Sequence, residues 1–422
     1  MEIKTMPQEE GFENGLKVLR EGYHYISNRN KIYQSDVFET TFLGEKTYCM
    51  GGEDAARLFY DESKIKRGGA APKFARCTLL GEDGVQTLDD EEHRNRKQYF
   101  LDLMSDDRIE EWRMILKKEF LKSAIHWMYE PSIVFYEESK KVLMRAVCEW
   151  AGVPLPEEDV EKRTKQMANL FEMAAEASPK FTKGVVSRKT GTKWAEKLIQ
   201  QVRNGDLHPN KETALYKIAF HTDLDGTLID LHPAATDLLS ILRPSVAIAI
   251  YLNFVALTLH QLPEIKEKLQ EEDIDGDYYE QFVQEVRRYY PFFPFNAGIT
   301  RENFVWNGLE FAKDTMVIFD FYGTSHDERL WKNPEEFNPD RFKEWEVSPT
   351  NQMQYRLVAQ GGGDYLSGHR CPGEWNVVEA MKITAEFLTK DITYDLPKQD
   401  LGYSMVKMPT IPKSGVIMEN VR

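Results

Sequence analysis

Residues 238–260, LLSILRPSVAIAIYLNFVALTLH, set the tightest bound on the fold. The longest apolar run within them, Ser245 to Leu259 with Asn253 inside it, falls short of the about 20 apolar residues that a bilayer crossing takes. A helix that is apolar on every side must be covered by other elements. The segment is therefore read as a buried core helix.

Nothing rich in Pro, Gly or Ser divides the 422 residues into halves, so 1–422 is expected to be a single domain large enough to enclose a cofactor. Hydrophobic residues at 41% and charged residues at 29% exclude a disordered or fibrous chain. The formal net charge of -15 argues against nucleic acid as a partner, because that affinity rests on neutralising phosphates. It leaves room for a small anionic substrate held by one local cation. The opening MEIKTMPQEE holds no apolar signal segment, so a cytoplasmic protein without a membrane anchor is expected.

Apolar residues recur three and four apart over 88–130, 132–150, 158–175, 190–204, 228–260, 277–290 and 374–391, which predicts helices. Strand signals are short. They are KTYCM at 46–50 and FVWNGLEF at 304–311, where Asn307-Gly308 marks a hairpin. A mainly α fold with small β-sheets at its edge follows. Pro291 ends the helix carrying EVRR, and the aromatic run through Phe295 is either a core connector or a cavity wall.

Four cysteines, Cys49, Cys77, Cys148 and Cys371, form no zinc clip or redox pair. Three read as small buried hydrophobes. Cys371 differs, because a three-glycine run precedes it and a helix follows it in AQGGGDYLSGHRCPGEWNVVEAMKITAEFL, residues 359–388. Glycines let backbone approach a flat ligand, and the helix turns its positive end toward a thiolate. His369 and Arg370 are expected to lower the thiol pKa further. The residues alone leave three roles open: an inert buried cysteine, a reactive thiol, or an axial ligand to haem iron.

Ser367, His369, Cys371, Gly373 and Glu374 resemble the haem-binding loop of the cytochrome P-450 superfamily, although Ser367 stands where a glycine is usual and Asp364 where a phenylalanine is usual. Glu285 and Arg288 are similar to that superfamily's Glu-x-x-Arg pair, and FNPDRF at 337–342 to the segment whose arginine, here Arg341, completes an ion network. At i and i+3 on a helix a Glu and an Arg share a face and can pair. The resemblance implies a haem-thiolate fold with non-covalent haem b, Cys371 as iron ligand, and His369 and Gly373 in the cofactor loop.

Most members of the superfamily fed by reductases carry an acid followed by threonine in the long helix over the haem. Here Arg243-Pro244 stands in that place. Proline inside a helix breaks one backbone bond and kinks the axis. Arg243 lies among leucines and isoleucines with no acid nearer in sequence than Asp237, so it is either a buried charge needing a partner or an exposed arginine at a helix start. The pair is similar to that of the bacterial fatty-acid peroxygenases, and KVLREGY, EWAGVPLPEE, EVRRYYPF, YGTSHDERLW and GHRCPGE resemble the same branch.

That branch implies that Arg243 holds the substrate carboxylate bidentately, with Pro244 beside it, and that the carboxylate supplies the missing acid–base group. Hydrogen peroxide and a long- or medium-chain fatty acid become the partners, with no reductase. The branch also implies that His93 and Lys97, with Arg96 a weaker candidate, face the haem propionates, that Gln86 faces the haem, and that Leu80 and Phe292 line the alkyl chain. Hydroxylation at the alpha carbon, with some at beta, is expected. Terminal-alkene formation by decarboxylation and a haem-based fatty-acid-binding protein are the alternatives, and a reductase-dependent monooxygenase is a further rival.

Overall fold

The computed structural model describes residues 3–42, 44–174, 178–345 and 352–422. The helices that frame the site are α1 (Asp90–Asp102), α2 (Asp106–Trp127), α3 (Phe135–Ala151), α4 (Val160–Glu172), α5 (Phe181–Asn204), α6 (Leu231–Ala247), α7 (Ala249–Gln261), α8 (Asp277–Tyr289) and α9 (Glu374–Glu386). The periodicity at 88–130 covers two helices rather than one. Leu103 to Ser105 break it, and Ser105 sits in extended geometry before α2.

The apolar segment becomes α6 and α7, and it lies at the centre. Together they form a 31-residue helical stretch, long and apolar enough by composition to cross a membrane, whose most apolar window is 89% buried inside the protein, as in a core helix. α6 packs on α3, α4 and α5, while α7 packs on α3, α8 and α9. Pro244 lacks the N–H that would reach the Ser240 carbonyl, and the helix turns at Ile248 before α7 resumes. Asn253 is fully buried, and with its amide nitrogen toward the Gly415 carbonyl (3.0 Å) its oxygen accepts from the Tyr136 N–H (3.2 Å). A polar residue inside an apolar run is thus matched by backbone groups from two other segments. Trp112 and Trp150, both buried, tie the outer helices in: their indole N–H groups donate to the Asn376 carbonyl at 3.0 Å and the Arg108 carbonyl at 2.9 Å.

The strands are β1 (Val37–Phe42), β2 (Glu45–Met50), β3 (Ile65–Lys66), β4 (Ser132–Val134), β5 (Phe295–Thr300), β6 (Phe304–Trp306), β7 (Leu309–Phe311), β8 (Met316–Asp320) and β9 (Ile417–Glu419). One five-stranded sheet runs β1-β2-β8-β5-β3, with β2 parallel to β8 and its other pairs antiparallel. The β6–β7 hairpin turns at Asn307 and Gly308, both at positive φ, as the sequence predicts. The Phe295 run enters β5 directly, and Phe292 and Phe293 within it also line a cavity with Tyr251.

Candidate active site

Cys371 lies three residues before the first residue of α9, whose N-cap is Gly373. Its N–H donates to the Gln360 carbonyl at 3.0 Å, which closes the loop on the glycine run. Glu374, buried at the start of α9, accepts from Arg370 Nε at 2.7 Å and from Arg287 NH2. Arg287 also donates to Gln360 Oε1 at 2.7 Å, so α8 grips both ends of the cysteine loop. Lys97 of α1 donates to the Gly368 and Arg370 carbonyls of the same loop, the latter at 3.1 Å.

One expectation about this loop is corrected. A Cβ on Gly362 would meet the Gln354 carbonyl at 2.4 Å, and one on Gly363 the Tyr60 Cβ at 2.9 Å, so those glycines let the loop lie close against Tyr60 and Gln354. The Cys371 thiol is pushed up, not down: burial dominates and the Glu374 carboxylate adds to it, against the Gly373 N–H, Lys97 and Arg287. Arg370, expected to favour the thiolate, is committed to Glu374. Cys49 and Cys148 are buried as expected, whereas Cys77 is only half-buried.

His93 stacks on His369 with ring centroids 3.9 Å apart. Burial pushes His93 down to about 2 and His369 to about 4, so both are neutral at pH 7, and His369 is not the cation that the sequence proposed. Asp89 approaches His369 Nε2 at 3.8 Å. Burial alone would raise its carboxyl, but the His369 ring beside it and hydrogen bonds from the Arg67 and Gly68 N–H groups hold it well below the usual range. Arg67, which the sequence reading missed, is 6% exposed; its Nε and NH1 are buried without a partner, and burial pushes it down to about 10. Glu62, His93 and His369 bring one ligand atom each within 4.8 Å. With the Arg67 guanidinium and Lys97 beside them, an anion suits this cluster better than a metal cation. Arg96 turns away, donating to Asp237 at 2.9 Å.

Arg243 sits inside α6 and is 5% exposed, which removes the reading as an exposed arginine at a helix start. Among the described residues it has no ion pair, and its Nε is buried without a partner. Burial, with the charge of Arg188, pushes it down to about 9, against the opposing influence of Cys371. Gln86 lies in the short turn Val85–Thr87, where Ser240, one turn before Arg243, approaches its Oε1 at 3.4 Å. Asp237, the nearest acid in sequence, is unavailable to Arg243, because it accepts from the Val85 N–H (2.8 Å), Arg96 (2.9 Å) and the Tyr99 hydroxyl (2.5 Å). Leu80 ends a helical turn at Arg76–Leu80, and Phe292 stacks on Tyr251 at 4.5 Å.

Glu285, fully buried, receives Arg288 on both oxygens (2.7 and 2.8 Å) and Arg341 Nε at 3.1 Å, with the Asn338 N–H at 2.8 Å. The network fixes α8 against the segment that precedes the cysteine loop.

A model of the cytochrome P450 family matches residues 247–374, a span that includes Cys371. Three solved structures superpose over nearly the whole chain, each with a TM-score of 0.94. Cytochrome P450EX alpha (CYP152N1) with myristic acid is 42% identical and covers 99% of both chains. Cytochrome P450SP alpha (CYP152B1) with (R)-ibuprophen is 40% identical over 98% of this chain and 99% of the other. A single-substitution variant of cytochrome P450 OleT in complex with arachidonic acid is 34% identical over 99% of both.

Proposed function

Since this chain belongs to the CYP152 branch of the cytochrome P450 family, we propose that it is a peroxygenase. It uses hydrogen peroxide to hydroxylate long- or medium-chain fatty acids, chiefly at the alpha carbon with beta as the lesser site. The chain acts as one catalytic unit over 1–422.

The observation that carries this reading is Arg243: a buried guanidinium with no carboxylate among the described residues to pair with it. Such a charge is costly unless a ligand supplies the partner. A planar guanidinium matches a carboxylate bidentately, and the three superposed structures hold three different carboxylic acids. The fatty-acid head group at Arg243 also answers the lack of an acid–alcohol pair in α6. Once held there, the carboxylate oxygen can take a proton from peroxide and give it back, while peroxide, already two electrons reduced relative to dioxygen, brings the electrons that a reductase would otherwise supply.

The residues fit haem b. Arg67 has two buried nitrogens awaiting acceptors, and with His93, Lys97 and His369 it forms a cluster suited to propionates. Cys371 has a free sulfur before a helix N-terminus and would hold the haem iron as its thiolate. Bound haem supplies the activation of peroxide oxygen, with thiolate donation assisting. Gln86, Leu80 and Phe292 shape the space around the carbons next to the head group, and Pro244 fixes the local helix geometry that presents Arg243. Glu285, Arg288 and Arg341 keep the cysteine loop's support rigid.

The test is mass spectrometry of products from a mixed fatty-acid pool with peroxide and no reductase. Hydroxy acids, mainly alpha, are expected. Turnover that required a reductase would overturn the reading, and mainly alkenes one carbon shorter would favour decarboxylation instead.

A further inference from the structure

A second arginine, Arg188 of α5, is about as buried as Arg243 and, among the described residues, likewise has no ion pair. It is 6% exposed, its NH2 donates to the Leu80 carbonyl at 2.9 Å, and its NH1 is buried with no acceptor. The packing of α5 on α6 places it opposite Arg243. Arg203 donates to the Ile229 carbonyl, Glu196 meets His232, and Gly191 lies against Leu239, so the two helices run antiparallel and the same register sets Arg188 level with Leu242 and Arg243. Gly81, at φ +83°, makes the approach to Leu80 feasible, because a Cβ there would fall 1.5 Å from the Arg188 NH2.

The carboxylates nearest to Arg188 are already committed. Asp237 serves Val85, Arg96 and Tyr99, and Glu82 pairs with Arg76 at 2.9 Å. Two guanidinium groups thus repel each other across this helix pair, and among the described residues neither has an ion pair. Folding two like charges into one apolar region is unfavourable in the free protein, and an anion entering that region relieves both.

We propose that Arg188 is a positioning residue of the carboxylate site: it adds a second positive charge to the field in which Arg243 binds the acid. The inference rests on the reading of Arg243 as the carboxylate ligand. It assigns to Arg188 affinity for the ionised head group rather than for the alkyl chain.

Calorimetric titration of the haem-loaded protein with myristic acid and with 1-tetradecanol, which share a chain and differ in charge, separates this role from a merely structural one. Arg188→Gln is expected to weaken the acid by roughly tenfold, the scale of one buried charge acting at about 10 Å, and to leave the alcohol unchanged. Arg188→Lys, which keeps the charge, is expected to retain most of the acid's affinity. Equal loss of acid and alcohol, or no loss of either, in Arg188→Gln would overturn the proposal. Failure of the unaltered protein to turn over any fatty acid with peroxide would count against the proposed reaction instead, and is scored separately.

Discussion

Replacing Arg243 with methionine should make the ligand-free protein more stable while removing its response to fatty acid. The magnitude follows from burial. At 1.36 kcal/mol for each tenfold change in ionisation, keeping this guanidinium charged when burial and Arg188 push it down from 12.5 to about 9 costs on the order of 5 kcal/mol. Because the folded value lies below the unfolded one, that cost is complete at pH 7 and fades only as the pH rises past 9. Methionine keeps the length and removes the charge. For 422 residues at about 2.1 cal/mol/K of unfolding entropy each, the gain corresponds to roughly 5 °C in Tm. Myristic acid at a hundred times its Kd should stabilise the unaltered protein by about 2.7 kcal/mol and the variant by almost nothing. Scanning calorimetry of the haem-loaded proteins with and without the acid reads both effects. If Arg243→Met melted lower without ligand, or kept the full stabilisation by acid, the reasoning about an unpaired buried charge would be wrong.

Cys371→Ala should abolish the long-wavelength band of the reduced carbon monoxide complex, and an unchanged band would remove Cys371 as the iron ligand. Glu285→Gln leaves Arg288 and Arg341 without their shared carboxylate; a loss of about 3–5 kcal/mol in urea unfolding, with poorer haem retention, is expected. Gln86→His should raise the terminal-alkene fraction modestly in headspace gas chromatography, since histidine can exchange a proton near neutral pH and glutamine cannot. Burial raises the Asp320 carboxyl to about 7, above its unfolded value, so its share of stability is present at low pH and lost as the pH climbs through 4 to 7. Denaturation of the unaltered protein and Asp320→Asn at pH 4 and pH 8 should show the difference moving toward the variant by roughly 4 kcal/mol.

The sequence made the centre of the fold legible for a physical reason. α6 and α7 are apolar on all sides, and only a core position suits such a helix. The Asn307-Gly308 hairpin was equally plain, because its backbone needs positive φ at both positions. β1, β5 and β8 were not read, since they are short and β5 follows a proline run that masks its pattern. Arg243 was balanced between two environments until the structure put it inside a helix among leucines. Arg67 and Arg188 escaped notice because each is an isolated arginine in a polar stretch, KRGG and SRKT, and burial is what makes them informative. The thiol was misjudged because neighbours in sequence, His369 and Arg370, were counted as cations facing sulfur, when one is neutral and the other is paired with Glu374.

The central claim is that the substrate's own carboxylate, held by Arg243, completes the catalytic machinery. It is tested most directly by comparing initial rates for myristic acid, methyl myristate and 1-tetradecanol with hydrogen peroxide as sole oxidant. The acid should react while the ester and alcohol stay near background, and adding a short carboxylic acid should restore some activity toward the neutral compounds. Equal rates for all three without that additive would contradict the account.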